Sequence, residues 1–236
     1  MKKIGIIGGI GPESTVDYYK LIIGAFHEKQ VDSAGPEIII YSADLAALLK
    51  ILETKDLELL TEWLLARVLS LHKAGAEFAV IASNTPHIVF ENVRSRSPIP
   101  MLSIVEETRR YAQECGFKKL GLMGTKFTME ADFFQKPFEE NAMTVIVPDE
   151  EDQALIHRRI FSEIELGIIK EATRQELLSI VKKMIAGHAI DALILGCTEL
   201  PLILDKSEFG IAFLNTTAIH AESIVDFCLG KTSNAG

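Results

Sequence analysis

The sequence predicts an α/β protein built from two similar doubly wound lobes, each a parallel sheet with helices on both faces. Short apolar runs alternate with amphipathic helical patterns along the chain, which is the order typical of parallel sheets. The strand motif KKIGIIG at Lys2–Gly8 returns as KKLGLMG at Lys118–Gly124. A second pair follows in the same order, with AVIAS at Ala79–Ser83 and LILGC at Leu193–Cys197.

The repeat predicts two copies of one strand–helix unit, related by a pseudo-two-fold axis. The strand ends of the two lobes would face each other across a cleft, with Ser83 and Cys197 on opposite walls of one active site. The alternative is a chance match between common strand–turn patterns. The chain would pass between lobes at SRSPIP (Ser95–Pro100), where two prolines interrupt the periodicity. The expected lobes are therefore residues 1–97 with 215–236, and residues 98–214.

Individual elements follow from hydrophobic spacing. In the first lobe, strands are predicted at Ile4–Ile7, Ile38–Tyr41 and Phe78–Ala82. A helix from about Ser14 would bury four residues: Val16, Tyr19, Ile23 and Phe26. A second helix would bury five: Leu57, Leu60, Leu64, Val68 and Leu71. Later strands are predicted near Met101–Ile104, Leu120–Met123, Thr144–Val147, Ala192–Leu195 and Ile211–Leu214.

Composition restricts the partners and the cellular location. A net charge of −9 and a pI near 5.2 argue against nucleic acid and against an anionic membrane surface. Three cysteines are too few and too widely spaced for a disulfide framework. The apolar run near the N-terminus breaks at Gly8, which favours a first strand over a signal peptide or a spanning helix. We therefore expect a cytoplasmic protein.

Cys197 is the first candidate for chemistry. It follows the apolar run Leu193–Leu195 and the strand-ending Gly196, while Pro201 suits the first turn of a helix. This predicts a cysteine at the carboxyl end of a parallel strand, where open α/β sheets bind ligands. A nearby helix N-terminus would favour the thiolate. The alternative is that Cys197 is a small buried hydrophobic residue.

The glycine loop at Gly8–Pro12 does not match the dinucleotide fingerprint, because its glycine spacing differs and Pro12 has no N–H. Asp44 lies slightly beyond the end of the second predicted strand, where a ribose-binding acidic residue would stand, so a nicotinamide or flavin site is not expected. Backbone groups at Gly9 and Ile10 could still cradle a small anion before the following helix. In the second lobe, Thr125 and Thr128 could offer hydroxyls and N–H groups to a carboxylate.

Four motifs resemble the aspartate/glutamate racemase family: GGIGPEST near the start, SNTPH at Ser83–His87, GTKFTMEADFF at Gly124–Phe134 and GCTELP at Gly196–Pro201. The resemblance spans the chain and implies two doubly wound lobes with the active site between them. It also implies racemisation without a cofactor. One cysteine from each lobe would flank the substrate Cα, one removing a proton and the other delivering one.

This chain departs from the family pattern where the first cysteine is expected, because Ser83 stands there. A hydroxyl gives almost no anion near neutral pH, so Ser83 would be a poor base beside Cys197. The enantiomer whose hydrogen faces Cys197 would then be preferred. Two regions also lack the basic or amide side chains expected of acid-specific members: Ala46–Leu48 with Leu52, and Leu166 before Gly167.

We therefore expect Cys197 and Ser83 to be catalytic. Eight residues are expected to bind the substrate: Gly9, Ile10, Asn84, Thr85, Thr125, Thr128, Thr198 and Glu199. The expected partners are a small amino-acid or dicarboxylate substrate and a second copy in a homodimer. No cofactor is expected, and the scattered histidines predict no metal. The alternatives are a single-cysteine decarboxylase or isomerase of the same superfamily, and a weakened carboxylate-binding protein.

Overall fold

The computed structural model describes residues 1–29 and 35–231, and the chain divides into two compact units. The first unit contains Met1–Glu107 and Thr217–Gly236, and the second contains Thr108–Thr216. Residues 232–236 of the segment expected in the first lobe lie outside the described residues. The first change of unit comes later than the sequence suggested, because the strand after SRSPIP still pairs within the first sheet.

The first unit is built on a parallel sheet of β1 (Ile4–Gly8), β2 (Ile38–Ser42), β3 (Phe78–Ile81) and β4 (Met101–Leu102). The strand order is β2-β1-β3-β4. Its helices are α1 (Pro12–Lys29), α2 (Leu45–Thr54), α3 (Leu57–Lys73) and α4 (Phe90–Arg96). Helix α5 (Ile104–Glu114) begins in this unit.

The second unit repeats this plan with β5 (Lys119–Met123), β6 (Thr144–Ile146), β7 (Ala192–Leu195) and β8 (Ala212–Asn215). The order β6-β5-β7-β8 reproduces the order of the first sheet, and all pairings are parallel. Its helices are α6 (Lys126–Glu130), α7 (Gln135–Glu139), α8 (Glu150–Ser162) and α9 (Glu171–His188). Helix α10 (Thr216–Cys228) then leads back to the first unit. The predicted two-lobed α/β fold is confirmed, and β1 and β3 correspond to β5 and β7.

Each sheet is buried at its centre, as expected for strands covered on both faces. Strand β3 is buried along its whole length, and so is β7. The apolar core of the first unit gathers around Ile7, Ile81 and Leu64, and that of the second around Leu193, Leu195 and Val181. None of the described helices is both long and apolar enough to cross a membrane.

The buried face of α1 differs from the predicted one. Phe26 is buried as predicted, but Val16 and Tyr19 are about half exposed, whereas Ser14, Tyr18 and Ile22 are buried. The face is rotated because polar residues of the first turn pack inward, with the Ser14 hydroxyl donating to the Ala82 carbonyl at 3.3 Å. The spacing of apolar residues alone cannot predict such a polar contact.

In α3 the predicted face is right except at its start. Leu60, Leu64, Val68 and Leu71 are buried, but Leu57 is about half exposed. Leu57 is the first residue of the helix, directly after the N-cap Asp56, whose side chain accepts from the Leu59 N–H.

Candidate active site

The turn after β7 holds Cys197 in a nearly closed environment. The Gly196 N–H donates to the Met123 carbonyl at 2.7 Å, which extends the sheet by one bond beyond the strand. A Cβ at Gly196 would lie 2.6 Å from Leu122 Cδ1 and 3.1 Å from the Met123 carbonyl oxygen, so a larger residue here would have to displace the Leu122 side chain. Cys197 follows directly and is only 7% exposed. The sheet thus presents the thiol at its carboxyl edge, as the sequence predicted.

A carboxylate two residues further on accepts a hydrogen bond from the thiol. Cys197 Sγ donates to Glu199 Oε2 at 3.0 Å, and the Thr198 hydroxyl donates to the same oxygen at 2.8 Å. All three residues are buried. The motif GCTE therefore forms one hydrogen-bonded group of thiol, hydroxyl and carboxylate, which we call the Cys197 turn (Cys197–Glu199).

The predicted thiolate is wrong for the free protein. Burial raises the pKa of the Cys197 thiol well above its usual value, and the negative charge of Glu199 raises it further. No α-helix begins beside the cysteine, since the turn leads only into a short 3-10 helix at Leu200–Leu202. Burial and the Glu199 charge therefore favour the protonated thiol, where a helix N-terminus was expected to favour the thiolate.

Glu165 adds a second negative charge near the Cys197 turn. It is half-buried, and its pKa is raised by burial and by Glu199. Two residues earlier, Glu163 is bonded by three side chains: Arg159, Lys170 and Thr173. The nearby cations are therefore held by Glu163 and do not compensate Glu165. Nothing in the spacing of the sequence marked Glu165 as a neighbour of the site.

Thr125 and Thr128 lie together at the start of α6. The Thr125 side chain caps the helix by accepting the Thr128 N–H at 3.3 Å, and the two hydroxyl oxygens are 3.1 Å apart. Both residues are buried. The structure thus brings together the two hydroxyls singled out from the sequence, and it gives Thr125 a structural role as well.

The first unit has its own polar turn after β3, formed by Ser83, Asn84 and Thr85, which we call the Ser83 turn. Ser83 is partly exposed, while Asn84 is buried. A 3-10 helix begins at Thr85 and contains the buried His87. His87 Nδ1 lies 2.9 Å from the Ser83 carbonyl oxygen. A buried side chain of the first unit therefore bonds the Ser83 backbone.

The glycine loop packs against the connection that follows β2. The Gly9 N–H donates to Thr15 Oγ1 at 2.8 Å, so the expected anion-binding group already has a partner within the protein. Gly9 has a φ of +78°, and a Cβ there would lie 2.4 Å from the Ala43 carbonyl oxygen. Ile10 is buried. Asp44 caps α2 by accepting the Ala46 N–H at 2.9 Å, which accounts for this acidic residue without a ribose.

The positions where the resemblance led us to expect basic or amide side chains carry alanines and leucines. Leu166 is 67% exposed, and Leu48 is buried in α2. Within residues 1–29 and 35–231, no three histidine, cysteine or acidic side chains are grouped so that they could hold a metal ion.

Fold and site together define an α/β protein of two similar units, with a thiol after β7 and a hydroxyl after the corresponding β3. A sequence model of the family described as Asp/Glu/Hydantoin racemase matches residues 7–224. The chain belongs to this family, and the resemblance of its motifs is confirmed.

Known proteins resemble the chain over nearly its whole length. The broad specificity amino-acid racemase RacX of Bacillus subtilis is 29% identical over 237 residues, covering 98% of this chain and 100% of RacX. The structure of an aspartate racemase homologue from Pyrococcus horikoshii is 35% identical with a TM-score of 0.85, covering 97% and 100% of the two chains. An aspartate racemase from Picrophilus torridus shares the fold, with 22% identity, a TM-score of 0.73, and coverage of 96% and 94%.

Proposed function

We propose that the protein is an amino-acid racemase that needs no pyridoxal phosphate and no metal, and that aspartate or glutamate is its substrate. The observation that carries this proposal is the 3.0 Å hydrogen bond from the Cys197 thiol to Glu199. A buried thiol beside a proton acceptor can move a proton at a substrate Cα in either direction. Membership of a racemase family and the similarity to a broad specificity racemase support the same reaction class.

In the proposed mechanism, Glu199 takes the thiol proton as the Cys197 thiolate forms. The thiolate then removes the Cα proton and becomes a thiol again, leaving a carbanion on the substrate. A substrate ammonium group near Glu199 would offset the negative charge that keeps the thiol protonated in the free protein. Substrate binding would therefore lower the pKa of Cys197 at the moment when a base is needed.

Ser83 is proposed to act on the opposite face of the same Cα, by delivering a proton or positioning a water molecule. Its hydroxyl is a poor base, so the reverse deprotonation from that face would be slow. Because enantiomers have equal free energy in solution, kcat/KM for net racemisation must be equal in both directions. The preference would appear instead as Cα–H exchange with solvent, faster than inversion, for the enantiomer that faces Cys197.

The choice of substrate needs a broad test. Glu199 and Glu165 place negative charge around Cys197, and Leu166 offers no cation. Recognition of a side-chain carboxylate would therefore depend on groups elsewhere in the protein. A panel should contain both enantiomers of aspartate and glutamate together with neutral and basic amino acids.

The experiment is incubation of each enantiomer in deuterated water, followed by chiral chromatography and mass spectrometry. Inversion with incorporation of deuterium at Cα supports racemisation, and exchange that outruns inversion supports the unequal roles of Cys197 and Ser83. The absence of both, for every amino acid in the panel, would contradict the proposal. Activity that disappears on chelation, or a bound pyridoxal chromophore, would contradict independence from cofactors.

A second candidate is favoured by the protonated state of Cys197. A decarboxylase of the same superfamily would break a C–C bond in a malonate-type substrate, release carbon dioxide and leave the electron pair on the α-carbon. The Cys197 thiol would then donate its proton to that carbon. Release of carbon dioxide from substituted malonates, without exchange of any amino acid, would favour this reaction over racemisation.

The homodimer and the cytoplasmic location remain predictions. Sedimentation equilibrium of the purified chain tests the first, since a monomer at micromolar concentration would contradict it. Fractionation of cells that express the chain tests the second.

A further inference from the structure

His87 connects the Ser83 turn to the start of α5. Its Nδ1 lies 2.9 Å from the Ser83 carbonyl oxygen, and its Nε2 lies 3.4 Å from the backbone nitrogen of Ile104. A carbonyl can only accept, so Nδ1 must carry the ring proton. The Ile104 N–H can only donate, so Nε2 must present its lone pair. Both bonds are satisfied by a single neutral tautomer.

The surroundings of His87 hold the ring in this state. The residue is 4% exposed, and its ring stacks on Phe90 with centroids 4.9 Å apart and planes 10° from parallel. Burial lowers the pKa of His87 to about 4, and the buried His220 lies close enough to interact electrostatically. A ring that is stacked, buried and bonded at both nitrogens cannot turn without losing contacts.

The two bonds of His87 are placed where they control the backbone at Ser83. One holds the carbonyl of the residue that follows Ala82 at the end of β3, and the other reaches an N–H in the first turn of a neighbouring helix. By contrast, the hydrogen bonds from the side chains of Cys197 and Thr198 to Glu199 lie within the second unit. A change at His87 should therefore reach Ser83 and leave the Cys197 turn as it is.

We propose that His87 is a positioning residue, which fixes the Ser83 backbone so that the Ser83 hydroxyl is correctly directed in the reaction. This inference rests on the proposed function, because it assigns His87 to the proton delivery made by Ser83. His87 itself does not act as an acid or base, since neither ring nitrogen is available for the Ser83 hydroxyl.

The test compares two rates for the enantiomer deprotonated by Cys197: Cα–H exchange and inversion. His87→Phe keeps a flat ring over Phe90 but removes both hydrogen bonds. We expect inversion to fall about tenfold relative to exchange, less than the ~10²-fold that a 1 Å misplacement can cost. His87→Asn keeps a donor near the position of Nδ1 and should restore the ratio to within about threefold of wild type.

The matched control is His220→Phe, which removes a second buried histidine of the same unit that bonds Tyr18 rather than the Ser83 turn. It should leave the ratio of inversion to exchange unchanged. The inference is overturned if His87→Phe lowers exchange and inversion by the same factor. It is also overturned if His220→Phe changes the ratio of inversion to exchange as much as His87→Phe does. Either result would mean that His87 has only a structural role. A wild-type protein without exchange would overturn the proposed function, and the inference with it.

A second measurement needs no variant and does not depend on folding of a mutant. Nitrogen NMR of the histidine rings in the wild-type protein reports which ring nitrogen carries the proton. The geometry requires a proton on Nδ1 of His87 and a bare Nε2 at neutral pH. A proton on Nε2, or a charged ring, would overturn the inference.

Discussion

The Cys197 turn and the Ser83 turn follow corresponding strands of two sheets with the same order, yet they differ in acid–base chemistry. Cys197 has a carboxylate two residues later, and Glu199 accepts a hydrogen bond directly from its thiol. Two residues after Ser83 the chain has Thr85, which cannot accept a proton as a carboxylate does. The two sheets thus place a turn after corresponding strands, whereas the side chains of the two turns differ.

The two turns also differ in what the titratable side chain beside each of them bonds. Glu199 accepts a hydrogen bond from the Cys197 thiol, whereas His87 bonds the Ser83 carbonyl and the Ile104 N–H. Both ring nitrogens of His87 are thus engaged, so His87 is not placed to activate Ser83 as a histidine base activates a catalytic serine. This contrast supports the proposal that the two turns have unequal roles, with Cys197 as acid and base and Ser83 as a positioned hydroxyl.

Cys197→Ala should have the largest effect. It removes the one thiol of the proposed site, so racemisation and Cα exchange should both fall by about 10²–10⁴-fold, as is typical for a general acid–base residue. Exchange and inversion assays in deuterated water measure this. Cys115→Ala is the control, because Cys115 is exposed and outside both turns. A loss of less than tenfold in Cys197→Ala would mean that the turns do not differ as proposed.

Glu199→Gln should lower turnover by about 10–10²-fold, because the thiol loses the group that accepts its proton. The same change removes a negative charge beside the sulfur, so the pKa of Cys197 should fall. Alkylation of Cys197 by iodoacetamide at neutral pH should therefore become faster while catalysis becomes slower. Cys115 in the same sample serves as the internal reference. Parallel changes in alkylation and turnover would contradict the role given to Glu199.

Ser83→Cys should reduce the difference between the two turns. A thiol on the second face restores a base, so inversion should rise about tenfold relative to exchange. Ser83→Ala should lower inversion only a few-fold, since a hydroxyl contributes hydrogen bonding and proton delivery. Chiral chromatography of both enantiomers measures both changes. If Ser83→Cys leaves inversion unchanged while Cys197→Ala abolishes it, the two residues do not reach the same Cα, and the decarboxylase reaction gains support.

Stability should fall with acid because His87 and His220 are buried in the neutral form. Their pKa values are lowered by burial to about 4 and about 3, from 6.5 when unfolded. The unfolded chain therefore binds protons first, and stability present above pH 6.5 is lost as the pH falls towards 4. His87 alone accounts for on the order of 3 kcal/mol at about 1.4 kcal/mol per pKa unit.

Thermal melts between pH 7 and 4 measure this loss of stability. The pH dependence should be shallower in His220→Phe, which lacks one of the two histidines. A melting temperature that stays constant across this range would show that neither histidine is held neutral.

Hydrophobic runs predicted the strands well, because parallel strands buried on both faces need continuous apolar residues such as Leu193–Leu195. The helix expected at Pro201 was wrong, since proline also fits the start of a short 3-10 helix. Helix α2 was not predicted, although Asp44 caps it in the usual way.

The protonation of Cys197 and the hydrogen bonding of His87 depend on contacts that the spacing of residues in the sequence does not reveal. The thiol pKa is controlled by burial, by the direction of the Glu199 side chain, and by Glu165, which lies far away in sequence. The bond from Ile104 to His87 likewise depends on how α5 packs beside the 3-10 helix. A sequence motif can therefore identify the reactive residue before it can indicate whether that residue carries a proton.

The most direct test of the unequal roles is to follow exchange and inversion together, for both enantiomers of the best substrate, in deuterated water. We predict that one enantiomer exchanges its Cα hydrogen faster than it inverts, while the other exchanges only as fast as it inverts. Cys197→Ala should abolish the fast exchange. Equal ratios of exchange to inversion for the two enantiomers would contradict the account, because they would mean that the Ser83 and Cys197 turns act as equivalent bases.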